Sequence, residues 1–506
     1  MKGFINFLKK PKIWVIGFLI IAIILGVYIR SMPMQDHNPN VPGNQPGLWD
    51  VSTNTWTLGP DLDPWLFTRT AKSIIETGSV PKIDTMRNVP LGFDNTKETM
   101  LLPYMIAYTH YFFNIFGDYP VEFSAAILPV IMFALTIISF FLFVREIFTN
   151  KSKKGKTRAN IISLISTFFM IVIPVFISRT IAGIPEKESA AFFFMFLGFY
   201  LFLKSWKSEK LKTSMIFGIL AGVSTALMGL ISGLVIYLFI PIATTCLIAF
   251  LLNKIKKKET ISYGLWVLFS FGTLLIFSNR FTLRGMLTSL SSGLASLMLF
   301  ILIIHILLWN TKISKNKFLK NSQLPKQILS LILSVILLII LASLFFGPTY
   351  IIEKIKAINQ ILFKPVTGRW NTTVAENRQP YFVDWVNSFG PFLKNIPLVF
   401  WMFFISSLIL FKKMLNKIRK KDSWILTGIF ALFLIGLIFS RYSSSSIFNG
   451  DNFISKSFYY VTTLLLIGSL IYYYFQYHKK KDSGFEKIKF EYLILLVLFV
   501  FTVFTA

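Results

Sequence analysis

Cysteine is almost missing from this sequence, and the other residues that commonly bind transition metals are rare. The single cysteine, Cys246, lies inside an apolar run, which excludes an intramolecular disulfide and a site built from several thiolates. Of the four histidines, His37, His110 and His478 have no spacing typical of metal ligands. These absences leave oxygen ligands as the candidates for metal binding.

Charged residues are also few, and one sign is scarce. Only 15% of the 506 residues are charged, with 23 Asp and Glu against 52 Lys and Arg, and 54% are hydrophobic. The apolar residues form many uninterrupted runs long enough to cross a bilayer, which predicts an all-α polytopic membrane protein. The basic residues stand in clusters between these runs. We therefore interpret the net charge of +29 as a topology signal and predict no nucleic-acid partner.

Seven basic clusters predict the topology of the chain in the cell membrane. They lie at residues 1–12, 145–158, 204–212, 254–258, 312–326, 412–421 and 479–489. If all of them are cytoplasmic, the N-terminus is cytoplasmic and about thirteen spans follow. The first span, residues 13–29, is too long for a signal peptide and has no small-residue cleavage site, so we expect it to be retained. Two long loops, residues 31–121 and 350–395, are then external. Arg280 and Arg284 occupy an external turn, where a solvated turn is favoured over contact with lipid headgroups.

One external segment, residues 178–189, combines charge with helix-breaking residues. Arg179, Glu186 and Glu188 lie between two apolar runs, and Gly183 and Pro185 interrupt the helix there. Two carboxylates spaced i and i+2 on a short non-helical segment can converge on one hard divalent cation. The alternative interpretation is an ordinary helix terminus, which also ends in polar residues.

Three further features lie on the predicted external face. In the first loop Asp63 precedes Pro64, either as a functional acid or as a helix cap, and a helix is expected at residues 70–76. The second long loop carries Glu376 in the polar sequence Thr-Val-Ala-Glu, after a segment that resembles an interfacial amphipathic helix. Arg441 follows a span, where it is either a ligand or a residue that snorkels to the membrane surface.

Taken together, these motifs resemble the catalytic subunit of the N-oligosaccharyltransferases, in particular the archaeal enzymes. Asp61-Leu62-Asp63-Pro64 with Arg69 is similar to the first-loop aspartate motif of that family, and residues 178–188 are similar to its S-R-x-x-A-G-x-x-acid-x-acid motif. Thr373, Val374, Ala375 and Glu376, followed by Gln379-Pro380, resemble the loop motif of the family. Arg441 with Tyr442 is similar to the arginine expected near the carrier phosphates.

The resemblance implies a transmembrane domain of the GT-C glycosyltransferase type over residues 1–506, with its active site on the external face. It implies transfer of a glycan from a polyprenyl (dolichol-type) phosphate or diphosphate carrier to asparagine in N-x-Ser/Thr sequons. Asp63, Glu186 and Glu188 would then bind Mn²⁺ or Mg²⁺, and Asp63 and Glu376 would hold the acceptor amide. Arg441 would contact the carrier phosphates. Arg179 would brace the carboxylates.

The sequence departs from the family in two ways. Glu186 stands where an aspartate is more usual, and the W-W-D-Y-G signature of the C-terminal soluble domain does not occur. We expect this domain to be truncated, encoded as a separate sequon-reading polypeptide, or lost. The alternative functions are a polyprenyl-phosphate-sugar glycosyltransferase acting on lipid, polysaccharide or Ser/Thr, a transporter or flippase, and a non-catalytic membrane subunit.

Overall fold

The computed structural model describes residues 11–35, 43, 45–363, 380–390, 392–393, 396–480 and 484–505. Over these residues the chain is predominantly helical, and its only sheets are two pairs of two-residue strands. This confirms the predicted all-α class. The chain divides into two compact units, the first comprising Met1–Ile240 with Lys257–Gly293 and the second Pro241–Lys256 with Leu294–Ala506.

The helices are numbered here in chain order. They are α1 (Pro11–Ser31), α2 (Leu62–Thr77), α3 (Leu101–Phe113), α4 (Val121–Phe148), α5 (Lys153–Val172), α6 (Pro174–Ser178), α7 (Lys187–Lys207), α8 (Leu211–Ile231), α9 (Ile236–Leu251), α10 (Lys257–Phe277), α11 (Leu283–Thr288), α12 (Gly293–Trp309), α13 (Lys317–Asn321), α14 (Lys326–Phe346), α15 (Tyr350–Phe363), α16 (Phe382–Phe389), α17 (Leu398–Met414), α18 (Lys420–Phe439), α19 (Phe453–Lys479) and α20 (Phe490–Thr505). Short 3-10 helices occupy Met32–Met34, Asn95–Lys97, Gly233–Val235, Lys312–Lys315 and Phe485–Lys487.

Nine helices within the described residues are long and apolar enough to cross a membrane. Two shorter apolar helices, Gly293–Trp309 and Phe490–Val503, accompany them. The multi-pass character predicted from the sequence is therefore confirmed. The count of thirteen spans stays a prediction.

The first unit is built on two sets of packed helices. Helix α4 packs against α1, α5 and α7, and α8 packs between α7 and α10. The contact between α8 and α10 depends on Gly218 and Gly222, four residues apart, because a Cβ atom there would lie 2.9 Å from the carbonyl of Ser262 and 2.7 Å from that of Trp266. Small residues at this spacing allow two membrane helices to approach closely.

The first loop is ordered by α2, α3 and two short hairpins, β1 (Trp49–Asp50) with β2 (Thr55–Trp56) and β3 (Ile83–Asp84) with β4 (Phe93–Asp94). The helix expected at residues 70–76 is longer than predicted and begins at Leu62. Pro64 does not prevent this, since the first helical turn needs no backbone donors, and Gly78 ends the helix with a φ of 81°. Asp63 thus lies in the first helical turn.

The second unit has an aromatic core among α17, α18, α19 and α20. Phe411 and Phe430 stack with ring centroids 4.2 Å apart and planes 7° from parallel. At one end of α18 the buried Asp422 accepts hydrogen bonds from the Arg419 side chain, at 2.9 Å, and from the Tyr477 hydroxyl, at 2.8 Å. These hydrogen bonds offset the desolvation cost of the buried carboxylate where α18 packs against α19.

Candidate active site

Backbone hydrogen bonds fix the loop between α6 and α7, which carries the E-x-E motif. The N–H of Ala182 donates to the carbonyl of Arg30 over 2.9 Å, and the N–H of Gly183 donates to the carbonyl of Ala126 over 3.0 Å. The carbonyl of Gly183 accepts the N–H of Gly59 over 2.8 Å. Helix α1, helix α4 and the first loop therefore all hold this segment, and the last bond fixes the residue just before the aspartate motif against the loop that carries the E-x-E motif.

Only glycine fits at position 183. Its φ of +86° lies in the left-handed region that side chains rarely adopt. A Cβ atom there would also lie 2.8 Å from the side chain of Leu48 and 3.2 Å from the backbone nitrogen of Gly59. The turn can bring the first loop close to the E-x-E segment because this position has no side chain.

Arg30 supports the same loop from the end of α1. It is fully buried, and its Nε donates to the Thr180 hydroxyl over 3.2 Å while one Nη donates to the Ile171 carbonyl. Its guanidinium lies 3.8 Å from the ring centroid of Phe133. Sequence reasoning assigned Arg30 no role beyond marking the end of a span. Its charge at that boundary was the only signal.

Glu186 is the buried carboxylate of the site. It precedes the first residue of α7, its side chain is 7% exposed, and its Oε2 lies 2.6 Å from Nη1 of Arg179. The Ser189 hydroxyl donates to the Glu186 carbonyl over 2.7 Å and holds the helix start. The predicted bracing role of Arg179 is consistent with this salt bridge.

The electrostatic environment of Glu186 is crowded with negative charge. Burial raises the pKa of its carboxyl above the usual value, and the salt bridge with Arg179 lowers it without compensating fully. A hydrogen-bond contact with Asp61 and the charge of Glu188 raise the pKa further. Three carboxyl groups, from Asp61, Glu186 and Glu188, therefore interact here.

Asp63 faces a different environment. It lines a cavity of about 130 Å³, which we call the first cavity, together with basic, acidic and apolar side chains. The other lining residues are Leu66, Phe67, Thr70, Arg87, Glu98, Thr99, Met100 and Lys187. Lys187, the middle residue of the E-x-E motif, thus lies beside Asp63 while its two neighbouring glutamates interact with each other.

The predicted metal ligands are only partly brought together. Among the described residues, no three His, Cys, Asp or Glu side chains form a ready metal-binding group. Glu186 and Glu188 interact, but the first-loop acid in contact with Glu186 is Asp61, and Asp63 lies in the first cavity. The donor chemistry nevertheless fits a hard divalent cation, since the crowded groups are carboxylates whose repulsion such a cation relieves. The sequence analysis quoted Asp61 within the aspartate motif but assigned the role of functional acid to Asp63 alone.

Glu98 is a second residue that sequence reasoning did not single out. It lies 3.8 Å from Arg87, 3.4 Å from Lys187 and 3.9 Å from Arg280, measured between charged side-chain atoms. Arg280 also donates to the Lys97 carbonyl over 3.3 Å. Arg280, expected in a solvated turn, is therefore held against the first loop.

In the second unit Arg441 is held by the segment that follows the Thr-Val-Ala-Glu loop. Its guanidinium lies 4.8 Å from the ring centroid of Tyr381, its carbonyl accepts the N–H of Phe382 over 3.0 Å, and its Nη1 lies 3.7 Å from Asp451. A Cβ atom on Gly450, whose φ is +85°, would lie 2.3 Å from Cγ of Arg441. Arg441 is thus packed in place and does not extend freely into solvent.

The acceptor-loop residues Thr373, Val374, Ala375 and Glu376 lie outside the described residues. The helix after them, α16, is anchored by Phe382, whose ring stacks on Tyr442 with centroids 5.5 Å apart. The amphipathic segment predicted before the loop is helix α15, Tyr350–Phe363.

Comparison with known proteins gives one family and one fold. The family described as "Oligosaccharyl transferase STT3, N-terminal" matches residues 52–383. A structure of the archaeal oligosaccharyltransferase AglB from Archaeoglobus fulgidus, in complex with an inhibitory peptide and a dolichol-phosphate, has a TM-score of 0.59 and 17% identity, covering 93% of this chain and 51% of that one. No curated protein matches the sequence.

Two further structures of the oligosaccharyltransferase from the same organism have the same fold. One, in complex with Zn and sulfate, has a TM-score of 0.53 at 17% identity and covers 95% of this chain and 52% of that chain. The other, tethered to an acceptor peptide containing the NVT sequon, has a TM-score of 0.55 at 18% identity and covers 97% and 53%. The chain therefore spans about half the length of these structures.

The described residues form a helical multi-pass membrane domain in which a carboxylate-rich loop is hydrogen-bonded to the first loop. The match over residues 52–383 covers more than half of the sequence. The chain belongs to the oligosaccharyl transferase STT3 family.

Proposed function

We propose that this protein is an oligosaccharyltransferase that moves a glycan from a polyprenyl phosphate or diphosphate carrier to the asparagine of an N-x-Ser/Thr sequon. Family membership supports the reaction class. The observation that carries the proposal is the hydrogen bond from Gly59 to Gly183, because it fixes the residue just before the aspartate motif against the loop that carries the E-x-E motif. Dolichol-phosphate and the acceptor peptide are ligands of the related archaeal structures, and we extend both classes to this chain.

The acceptor amide must be activated before it can react. Its nitrogen lone pair is delocalised into the carbonyl, so the free amide is a poor nucleophile. Asp63 and Glu376 would accept its two N–H bonds and so hold the nitrogen toward the sugar, which is a positioning and electrostatic role. Asp63 suits this role because its carboxyl is exposed at the first cavity.

The leaving group is a carrier phosphate, whose negative charge grows as the glycosidic bond breaks. Arg441 would pair with this charge through charge-assisted hydrogen bonds. Mg²⁺ or Mn²⁺ bound by Asp63, Glu186 and Glu188 would supply further positive charge to the phosphate oxygens. Arg179 would keep Glu186 ionised in its buried position, since the salt bridge lowers the pKa of that carboxyl. Asp61 would lie next to these three metal ligands.

We also propose that the reaction takes place on the external face of the cell membrane, with the N-terminus in the cytoplasm. The support is the distribution of basic residues, whose clusters fall between pairs of apolar runs. The same topology makes residues 59–63 and 178–189 external.

The test is a transfer reaction in membranes that contain this chain. These membranes also supply any separate sequon-reading polypeptide. Labelled polyprenyl-linked oligosaccharide is supplied with an N-x-Thr peptide, and a Gln-x-Thr peptide is the matched control. We expect label on the asparagine peptide alone, lost on chelation and restored by Mn²⁺. Label that appears on lipid, polysaccharide or Ser/Thr instead would support the alternative glycosyltransferase and overturn the proposal.

A further inference from the structure

A second, larger cavity lies beside the first one, at the ends of α8 and α10. Its volume is about 430 Å³, and it shares Glu98 and Met100 with the first cavity. The remaining lining residues are Val80, Pro81, Lys82, Asn95, Thr96, Leu101, Tyr104, Leu230, Phe277, Ser278 and Asn279. All of them belong to the first unit, and none has a role in the proposed reaction.

One wall of this second cavity is apolar and continues onto the outside of the helices. Tyr104 lines the cavity and stacks on Tyr108, with ring centroids 6.5 Å apart, and Tyr108 is largely exposed. Phe277, at the end of α10, lines the cavity and is 71% exposed, and its neighbour Ile276 is 76% exposed. Aromatic side chains at the end of membrane helices are typical of the boundary between lipid and water.

The other wall of the second cavity contains Lys82 and Glu98, and the basic residues Lys97 and Arg280 lie next to lining residues in the sequence. Lys82 lines it directly, and both Lys82 and Lys97 lower the pKa of Asp94 through their positive charge, after the hydrogen bonds from Thr96 that have the larger effect. Arg280 follows the lining residue Asn279 and lies 3.9 Å from Glu98.

The charges in this wall do not balance. Lys82, Lys97 and Arg280 contribute three positive charges, and Glu98 is also paired with Arg87 and Lys187 on the side of the first cavity. On the side of the second cavity, three cations therefore lie near two acids, Asp94 and Glu98, and the excess positive charge attracts an anion.

We propose that the second cavity binds an anionic lipid of the surrounding membrane, with its chain against Tyr104, Leu230 and Phe277 and its phosphate near Lys82 and Arg280. An apolar wall that opens toward the bilayer and a cationic rim match the two parts of such a molecule. A soluble anion would leave the apolar wall uncovered. An uncharged lipid would leave the excess positive charge of the rim unbalanced.

The bound lipid fastens the first loop to the helices. The lining residues come from the loop, at positions 80–82 and 95–101, and from the ends of α8 and α10. A molecule in contact with the loop and with both helix ends stabilises the loop in the position where Glu98 pairs with the surrounding basic residues. This role is independent of the proposed transfer reaction, so the two can fail separately.

The test measures lipid binding to the purified full chain by native mass spectrometry, with phosphatidylglycerol and phosphatidylcholine of the same chains as probes. We expect wild type to prefer phosphatidylglycerol. Lys82→Gln and Arg280→Gln should each lower its affinity about fivefold, since one basic residue near a membrane contributes about that factor. Arg284→Gln, which lies in α11 and has no lining residue next to it in the sequence, is the matched control and should leave the affinity unchanged.

A second variant pair tests the apolar wall. Val80→Trp, which places a large ring in the cavity, should abolish the preference, and Leu91→Trp, at an exposed position of the same loop, should retain it. Unchanged melting in phosphatidylcholine shows that each variant is folded. Equal binding of the two lipids by wild type, or a Val80→Trp protein that still prefers phosphatidylglycerol, overturns the proposal. Competition by free glycerol phosphate as strong as by the lipid would also overturn it, because it would indicate a site for a soluble anion.

Discussion

Glu186 combines two properties that are rarely found together in one carboxyl group. Its side chain is 7% exposed, and it interacts with Asp61 and Glu188, both of which oppose its ionisation. The salt bridge with Arg179 favours the charged form. A buried charge of this kind reduces folding stability, and its retention is typical of functional sites.

The first prediction concerns Glu186→Gln. Because the folded-state pKa is raised, the folded protein binds more protons than the unfolded chain above pH 4.5, and the free energy of unfolding falls as the pH rises through this window. The glutamine variant has no carboxyl group to ionise, so its melting temperature relative to that of wild type should rise as the pH increases above 4.5. Its transfer rate should fall about a hundredfold, the effect of losing part of the charge stabilisation in the transition state.

The matched control is Glu209→Gln, a highly exposed glutamate that pairs with Lys151. It should change neither transfer nor the pH dependence of melting in the way that Glu186→Gln does. A Glu186→Gln protein with wild-type transfer and wild-type divalent dependence would make the E-x-E motif an ordinary helix terminus.

At the scale of elements, the turn at residues 179–186 brings the E-x-E motif next to the aspartate motif of the first loop. The two motifs are more than a hundred residues apart in sequence. The sequence predicted the motif, its non-helical character and its acids, because Gly183 and Pro185 are strong local signals. It could not predict the hydrogen bond that Gly183 donates to Ala126 or the one it accepts from Gly59, since long-range backbone pairing leaves no periodic pattern. It also could not predict which first-loop acid meets Glu186, because that depends on where α2 begins.

The second prediction is that Gly183→Ala lowers stability by about 1 to 3 kcal/mol, the cost of a side chain in the left-handed region. The turn should shift away from Gly59 and Leu48, so transfer should fall as well. Thermal melting and the transfer assay measure the two effects. Gly272→Ala, inside α10 with no atom within 4 Å of the new Cβ, is the control and should be neutral or stabilising. If both variants melt alike, the turn does not depend on glycine.

The third prediction concerns the loop that holds Arg441. Gly450→Ala introduces a Cβ atom 2.3 Å from Cγ of Arg441, so the guanidinium must move. If this group binds the carrier phosphates, the KM for the polyprenyl-linked donor should rise about tenfold, the value of one charged hydrogen bond, while the KM for peptide stays unchanged. Gly468→Ala in α19, with no atom near the new Cβ, is the control. Equal changes in both KM values would indicate general misfolding of the loop.

At the scale of the whole molecule, composition and charge clusters were sufficient to predict a helical multi-pass membrane protein. Both are counted along the sequence and do not depend on which residues come into contact in the fold. The number of spans was harder, since helices such as Lys153–Val172 begin with several basic residues and are not among the nine apolar spans of the described residues. The cavities beside Asp63 and the Glu98 cluster could not be predicted, because their residues come from separate parts of the first unit.

The fourth prediction is the topology itself. Single cysteines at Asn54 and Ser388 should react with a membrane-impermeant maleimide added to intact cells, and cysteines at Lys154 and Lys317 should react only after the membrane is opened. All four positions are exposed, and the native Cys246 is buried, so accessibility within the fold does not limit labelling. Labelling of both sets from the same side would contradict an external site.

The most direct test of the central claim, transfer to an amide nitrogen, is the Glu376→Gln variant in the sequon-peptide assay. Transfer is measured against peptide concentration and against Mn²⁺ concentration, for wild type and variant. A neutral amide offers one acceptor oxygen and adds N–H donors that repel those of the substrate, so the variant should have a higher peptide KM and a lower turnover, with little change in Mn²⁺ dependence. A variant that transfers glycan to the peptide as wild type does would contradict the account, because Glu376 would then have no part in holding the acceptor.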